Sequence, residues 1–183
     1  MQETERQLIE AIRAGDREAL RRLYEHFSRY AMGVTLRYVP RRDDALDIVQ
    51  DSFISILTTI DAFDYRGEGS LRGWITKIVS HQAVSWMKEH EQLSFSELTL
   101  DEIEDNDDDE AIEEVPKELM NEMIGRLPVR YRVVVNLRTF EDLSHKDIAL
   151  KLGISEKASV TLFSRAKRKL AMMIKEYLNS QGI

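Results

Sequence analysis

The sequence predicts an all-α protein made of two small helical domains joined by an acidic, flexible linker. Apolar residues recur at helical spacing between capping residues, and the alternating pattern typical of strands is not evident. Only three prolines interrupt the 183 residues. Residues 94–115 lack this periodicity and are dominated by acid, so they separate a helical segment at 1–93 from another at 116–183.

The first domain is predicted to be a helical bundle. A turn at Gly15-Asp16 separates a first helix from a second, residues 17–38, which stops ahead of Pro40. Asp43 or Asp44 is expected to cap a third helix. The apolar positions of that helix follow a 3.6-residue spacing and should face the core: Leu46, Val49, Phe53, Ile56, Leu57 and Ile60.

Turn residues then divide the rest of the chain into helices. The segment 65–70 is a glycine-containing turn, and Ser70 is expected to cap a helix running to about His90. In the second domain, helices are expected to begin at Pro116 and near Pro128.

The end of the chain has the pattern of a helix-turn-helix. Ser144 should cap a helix over residues 145–152, and Gly153 permits the turn that follows it. Ser155 should cap a last helix that runs to about Leu178.

Charge is strongly segregated along the chain, although the net charge of −7 alone argues against a DNA-binding protein. Residues 101–114 hold ten acids and no base. Residues 126–175 hold twelve bases against four acids, a net charge of +8. A basic block of this kind is the usual electrostatic footprint of phosphate binding. The acidic run reads most simply as a solvated spacer.

Composition excludes several classes of protein. No cysteine is present, which excludes disulfides and thiolate metal sites. No apolar run approaches the roughly 18–20 residues that span a bilayer, and the acidic N-terminus is unlike a signal peptide, so a soluble cytoplasmic protein is expected. The four histidines have no metal-ligand spacing, and no phosphate loop or nucleophile motif occurs. We therefore expect neither cofactor, metal site nor enzymatic activity.

The last predicted helix separates its side chains into two faces at 100° per residue. One face, which we call the basic stripe, consists of Lys157, Thr161, Ser164 and Arg168, with Arg165 beside it. The opposite face carries Ser159, Phe163, Ala166 and Leu170. A major-groove recognition helix requires this arrangement, but an ordinary amphipathic surface helix also shows it. The capped preceding helix, the glycine turn and the clustered positive charge favour DNA recognition.

With these motifs in order, the chain resembles the extracytoplasmic-function group of the sigma-70 family, small bacterial sigma factors that give RNA polymerase its promoter specificity. The resemblance covers about residues 19–170. Residues 44–53 (DALDIVQDSF) are similar to the polymerase-binding segment of the family, and residues 63–75 (FDYRGEGSLRGWI) to its promoter-melting loop and −10 helix. Residues 127–132 (LPVRYR) resemble the start of its −35 domain, whose recognition helix lies between GISE (153–156) and SRAK (164–167).

The resemblance implies roles for three groups of residues. Asp47, Gln50 and Asp51 would dock on the clamp helices of the polymerase large subunit, although a solvated acidic face is the simpler interpretation of the same residues. The melted −10 strand would be held by Tyr65, Arg66, Trp74, Lys77, His81 and Lys88, with Trp74 alternatively a core residue. The −35 duplex would be read by Lys157, Val160, Thr161, Ser164, Arg165 and Arg168.

The same resemblance implies core RNA polymerase, promoter DNA and an anti-sigma factor as partners. Departures from the family pattern concern specificity: members often carry Lys or Arg where Val160 stands, and Arg or Gln where Leu162 stands. An alternative function is a stand-alone helix-turn-helix regulator whose N-terminal bundle senses a signal or dimerises. A helical adaptor that binds only protein fits the +8 block less well.

Overall fold

The computed structural model describes residues 4–90 and 115–181, and every regular element within these ranges is helical. The chain divides into two compact units, Met1–Trp86 and Met87–Ile183. The predicted linker lies outside the described residues apart from Val115. Within the described ranges, no helix is both long and apolar enough to cross a membrane.

The first unit begins with three helices: α1 (Glu5–Arg13), α2 (Arg17–Tyr38) and α3 (Arg42–Thr59). Thr4 forms a capping box with Gln7 at the start of α1, and the Asp16 carboxylate accepts from the Glu18 amide at the start of α2. Helix α2 therefore has its predicted cap and both of its predicted ends.

A short 3-10 helix, Ile60–Ala62, and a loop connect α3 to α4 (Ser70–His90). Side-chain hydrogen bonds join α4 to α2 and α3. The hydroxyls of Tyr30 on α2 and Thr76 on α4 are 2.8 Å apart, and Gln82 on α4 donates to the Ser55 hydroxyl on α3 at 3.0 Å. Buried residues such as Leu23, Ile56 and Ile75 form the interior of the bundle. The loop that precedes α4 thus starts and ends on packed helices.

Three local predictions for the first unit are wrong. Helix α3 begins at Arg42, so both predicted caps lie inside its first turn, where their charges suit the positive helix terminus. Ser70 is the first residue of α4, and its hydroxyl donates back to the Gly67 carbonyl instead of capping the helix. Leu46 and Leu57 are 41% and 38% exposed because α3 packs on a narrower face than their spacing suggested.

The second unit contains α5 (Lys117–Arg126), α6 (Val129–Thr139), α7 (His145–Leu152) and α8 (Glu156–Gln181). Pro116 and Pro128 are the N-cap residues of α5 and α6, one position before the first helical residue. Helix α8 contacts each of the other three helices. Its core partners come mainly from α5 and α6: Met123, Ile124, Leu127 and Val135, packed with Ala166, Leu170 and Ile174.

Candidate nucleic-acid interfaces

The geometry of the helix-turn-helix follows from three residues that end or start helices. The Ser144 hydroxyl accepts from the Asp147 amide at 3.1 Å, and the Ser155 hydroxyl accepts from the Ala158 amide at 3.0 Å. Between them Gly153 ends α7 with φ +71°, a left-handed conformation that side chains other than glycine rarely adopt. Both predicted caps and the glycine turn are confirmed, and α8 extends to Gln181, beyond its predicted end.

The basic stripe lies on the outer side of α8. Lys157, Ser164 and Arg168 are exposed, and Thr161 is half-buried. Of the two neighbouring positions, Val160 is exposed and Arg165 is half-buried. The Thr161 hydroxyl donates to the Lys157 carbonyl at 3.0 Å, so its proton is already used within the helix. The exposed face is long and positive, as a helix lying in a DNA groove requires.

The inner side of α8 agrees with the predicted helical phase. Ser159, Ala166 and Leu170 are buried, and Phe163 is half-buried. Leu162 is buried as well, although the resemblance compares it with polar positions of the family. A charged side chain at this position would lose its hydration, which gives a physical reason for leucine here.

A contact that the sequence did not indicate joins the two helices of the motif. The His145 ring nitrogen Nδ1 lies 2.9 Å from the hydroxyl of Ser159, which is fully buried on α8. The His145 ring also packs edge-on against Phe163, with centroids 5.7 Å apart. Burial, followed by the charge of Arg138, lowers the pKa of His145 below its usual value. The neutral ring therefore ties the start of α7 to α8.

The loop between Phe63 and Ser70 presents the first two predicted −10 residues. Tyr65 is half-buried and donates to the Glu68 carboxylate at 3.2 Å, and Arg66 is exposed and paired with Asp64 at 3.0 Å. Burial and, next, the Glu68 hydrogen bond raise the pKa of Tyr65. Positive φ angles at Gly67 and Gly69 allow the chain to turn sharply below these side chains.

The other predicted −10 residues follow along α4. Lys77, His81 and Lys88 are exposed on the same side of the helix. Trp74 is half-buried, and its ring lies 4.9 Å from the ring of buried Phe63. Trp74 therefore packs against Phe63, where the loop begins, and still presents part of its surface to solvent. Its contact with Phe63 suits a core residue, and the exposed part of its ring suits a contact with the −10 strand.

Two α1 residues that the sequence did not single out hold the same loop. The Glu5 carboxylate accepts from the backbone amides of Gly69 and Leu71, at 2.9 and 3.2 Å. At the other end of α1, the Arg13 guanidinium donates to the carbonyls of Ile60, Asp61 and Phe63. Both contacts span more than 45 residues, so periodicity and local capping rules could not have revealed them.

A third candidate surface lies on α3. Asp47, Gln50 and Asp51 are all exposed and, one turn apart, share a face. Exposed apolar side chains accompany them, with Leu46 and Ile54 at 41% and 61% exposure. The face thus combines negative charge with apolar surface, which a purely solvated acidic face does not need.

Comparison with known families gives two matches, one for each helical segment. A model of Sigma-70 region 2 matches residues 23–92, and a model of Sigma-70 region 4 matches residues 117–170. Together they account for more than half of the chain. They include α3, the loop and α4 in the first case, and the helix-turn-helix with the basic stripe in the second. Helix α1 lies outside both matches.

Three curated relatives are similar over most of their length. RNA polymerase sigma factor YlaC of Bacillus subtilis is 26% identical over 159 residues, which cover 84% of this chain and 91% of the relative. The ECF RNA polymerase sigma-E factor of Haemophilus influenzae is 28% identical over 80% of this chain and 82% of its own. The RNA polymerase sigma-H factor of Pseudomonas aeruginosa is 27% identical over 164 residues, which cover 81% of this chain and 82% of the relative.

Two solved structures share the fold. CnrH, in complex with the cytosolic domain of CnrY, superposes with a TM-score of 0.52 at 19% identity, covering 95% of this chain and 99% of that chain. The sigma factor RpoE of Bartonella quintana, in complex with the anti-sigma factor NepR, superposes with a TM-score of 0.51 at 15% identity. The match covers 85% of this chain and 96% of that chain.

Proposed function

Because this chain belongs to the extracytoplasmic-function group of the sigma-70 family, we propose that its three exposed surfaces divide the work of promoter recognition among them. The protein is an RNA polymerase sigma factor, which binds core polymerase and directs promoter-specific initiation by reading −35 and −10 elements. Each surface carries one step. The observation that carries this proposal furthest is the basic stripe on α8, which lies opposite a face whose residues Ser159, Ala166 and Leu170 are buried.

The basic stripe lies in the major groove of the −35 element. Lys157, Ser164 and Arg168 offer donors toward base edges, and Val160 offers an apolar contact. Arg165 is set to one side of the stripe, where the phosphate backbone runs, and it therefore contributes affinity rather than sequence preference. The caps at Ser144 and Ser155 support this role because they fix the angle between α7 and α8.

The loop and α4 hold the melted −10 strand. Tyr65 supplies an aromatic face and Arg66 a positive charge, the combination that commonly holds unstacked bases. Lys77, His81 and Lys88 continue the surface along α4, where backbone phosphates would lie, and Trp74 supports the loop. Unstacking a base costs a few kcal/mol, so a site that receives it makes opening more favourable.

The α3 face docks on the clamp helices of the polymerase large subunit. Asp47, Gln50 and Asp51 would meet basic side chains there and orient the complex. The exposed side chains of Leu46 and Ile54 beside them would add buried apolar area. The nucleotidyl transfer itself belongs to the polymerase. The sigma factor therefore acts without an enzymatic activity of its own, in the cytoplasm where the polymerase works.

An anti-sigma factor is a further proposed partner. The solved RpoE structure is a complex with the anti-sigma factor NepR, and this chain shares its helical fold. The rival function, a stand-alone helix-turn-helix regulator, does not account for a region 2 match over α3, the loop and α4. A sensing or dimerising bundle would not need a loop that presents Tyr65 and Arg66 in this way.

Run-off transcription with purified core polymerase and genomic promoter fragments tests the proposal. Wild-type protein should make core enzyme start at a small set of promoters, and Arg168→Ala should reduce transcription from them. Lys169→Ala is the matched control, because Lys169 is exposed on the same helix but lies away from the basic stripe. Equal activity of all three proteins would contradict the assignment of α8, and promoter binding without core enzyme would favour the stand-alone regulator.

A further inference from the structure

Helix α1 lies beside the loop that holds the −10 strand but outside the matched region 2. Three buried apolar residues anchor it to the bundle: Leu8, Ile9 and Ile12. Its two functional contacts come from opposite ends, at Glu5 and Arg13. These residues are about 12 Å apart along the helix axis at 1.5 Å per residue. One nine-residue helix therefore contacts both ends of the loop.

At the start of the loop, the Nη2 amino group of Arg13 lies within hydrogen-bond distance of three backbone carbonyls, which share its two N–H bonds. The distances are 3.0 Å to Ile60, 3.2 Å to Asp61 and 2.5 Å to Phe63. These carbonyls lie at and just after the 3-10 helix, where the chain leaves α3 and regular hydrogen bonding ends. Arg13 thus holds the point at which the loop departs.

At the other end, Glu5 holds the point at which the loop enters α4. Its carboxylate accepts from the Gly69 amide, just before the helix, and from the Leu71 amide in its first turn. Amides at this end of a helix have no carbonyl partner within it. A negative charge is favourable at this positive helix terminus. Glu5, which belongs to a different helix, therefore caps α4 in place of the Ser70 cap that the sequence predicted.

The loop needs this support. Gly67 and Gly69 adopt positive φ angles and give the backbone unusual freedom. An open cavity of about 510 Å³ lies where Glu68 of the loop faces α1 and α2, so this part of the loop is not closely packed against α2. Tyr65 also lies close enough to Glu5 and Arg6 for their charges to affect its pKa.

We propose that α1 is a positioning element for promoter opening, in which Glu5 and Arg13 hold both ends of the loop so that Tyr65 and Arg66 are already placed for the unstacked −10 base. The inference rests on the proposed role of this loop. Preorganisation matters because a loop that must be ordered during binding loses part of the binding free energy to that ordering. Glu5 and Arg13 touch no DNA in this scheme and act only through the loop.

The test compares variants in complete holoenzyme on a promoter that wild-type holoenzyme opens. Glu5→Ala and Arg13→Ala remove the two contacts. Glu5→Gln keeps one acceptor oxygen, and Arg13→Lys keeps a cation with several donors, so both should recover part of the wild-type behaviour. Glu25→Gln and Arg21→Lys are matched controls, because these two residues form an exposed ion pair with each other on α2.

The decisive readout is base preference at the captured −10 position. The rate of opening is measured by permanganate reactivity on promoters that differ only in that base, and the preferred base is compared with the others. The quantity compared is the ratio of the opening rate with the preferred base to the rate with another base. A variant that merely folds less well lowers every rate alike and leaves this ratio unchanged. A badly positioned loop lowers the ratio, by about fivefold if one base contact is lost. Capture of core enzyme and binding to −35 duplex should not change.

Two outcomes would overturn the inference. An unchanged ratio in both alanine variants, while Tyr65→Ala or Arg66→Ala lowers it, would show that the loop reads DNA without help from α1. An unchanged ratio in the Tyr65 and Arg66 variants as well would remove the proposed role of the loop, and the inference with it. A lowered ratio in Glu5→Ala and Arg13→Ala, with partial recovery in the conservative variants, supports it.

Discussion

Val160 is the residue of the −35 surface whose chemistry differs most from its polar neighbours. Its side chain is 47% exposed on a face that carries Lys157, Ser164 and Arg168. Thr161 beside it commits its hydroxyl proton to the Lys157 carbonyl and keeps a methyl group for contact. In the major groove the apolar feature available for such side chains is the thymine methyl group.

We expect the −35 element to contain a thymine opposite Val160. Replacing that thymine with deoxyuridine removes only the methyl group and should weaken holoenzyme binding by about fourfold, the equivalent of about 0.8 kcal/mol for one buried carbon. The Val160→Ala variant should bind both duplexes with nearly equal affinity. If wild-type protein tolerates deoxyuridine at every −35 thymine, Val160 does not read a methyl group.

Arg168 and Ser159 provide a test of the helical phase. Arg168→Ala should cost about 1–3 kcal/mol of binding free energy and relax preference at one −35 position, because a base contact is lost. Arg165→Ala should weaken binding to all DNA sequences alike, and the slope of affinity against salt should fall by about one, the amount expected for one lost phosphate contact. Quantitative binding to a set of single-base −35 variants distinguishes the two. A larger change of preference for Ser159→Ala than for Arg168→Ala would place the wrong face in the groove.

At the scale of whole elements, α3 presents a face in which acids and exposed apolar residues alternate. Asp47, Gln50 and Asp51 share this face with Leu46 and Ile54. Asp51→Lys should abolish capture of core polymerase, because it places a cation against the basic surface expected on the clamp helices. Binding of −35 duplex by the same variant should be unchanged. Pull-down with core enzyme and duplex binding are the two measurements.

Glu25→Lys is the control for that experiment, since Glu25 is an exposed acid on α2 whose reversal changes the net charge equally. Normal holoenzyme assembly by Asp51→Lys would mean that the acidic residues on α3 serve only solvation. Loss of assembly by both variants would mean that overall charge, and not this face, governs docking.

The bond between His145 and Ser159 makes the junction of α7 and α8 sensitive to pH. Because the pKa of His145 is lowered in the folded state, its contribution to stability is complete above its unfolded value of about 6.5. It is lost as pH falls through the folded value. Arg138 opposes protonation of the ring and Glu156 favours it. Urea unfolding should therefore show a steeper loss of stability between pH 7.5 and 5 for wild type than for His145→Asn.

His145→Asn keeps a polar side chain beside the Ser159 hydroxyl and removes the titration. The other histidines are common to both proteins, so the difference between the two pH profiles isolates His145. Parallel profiles would show that protonation of this ring does not strain the helix-turn-helix.

Across the whole molecule, charge is distributed by region. Ten acids in residues 101–114 are covalently joined to a segment that carries +8 between residues 126 and 175. Covalent attachment keeps the two at high effective concentration, and charges within the Debye length of about 8 Å at physiological salt still interact. The acidic segment should therefore compete with DNA phosphates in the free protein, and engagement with polymerase would relieve the competition.

Replacing five of these acids with serine or asparagine tests the competition: Asp105, Asp107, Asp108, Asp109 and Glu110. Affinity of the free protein for −35 duplex should rise most at low salt and converge with wild type as salt increases. Fluorescence anisotropy over a salt series provides the measurement. Superimposable curves for the two proteins would leave the acidic segment as a spacer.

Much of the architecture could be predicted from the sequence alone, because it depends on local chemistry. The caps at Asp16, Ser144 and Ser155 and the turn at Gly153 need only neighbouring backbone groups, and each is confirmed. The two faces of α8 follow from helical periodicity. The family resemblance came from short motifs in order, and the region 2 and region 4 matches confirm it.

Tertiary structure decided whatever depends on residues distant in sequence. Periodicity counted Leu46 and Leu57 as core residues, but the width of the face that α3 buries depends on its partners. Leu162 stands where members of the family often carry Arg or Gln, and only the packing of α8 showed that its side chain is buried. The cap of α4 comes from Glu5, more than sixty residues away, and not from Ser70. Local rules describe which hydrogen-bonding groups a helix end leaves unpaired, whereas only the folded chain determines which side chain reaches them.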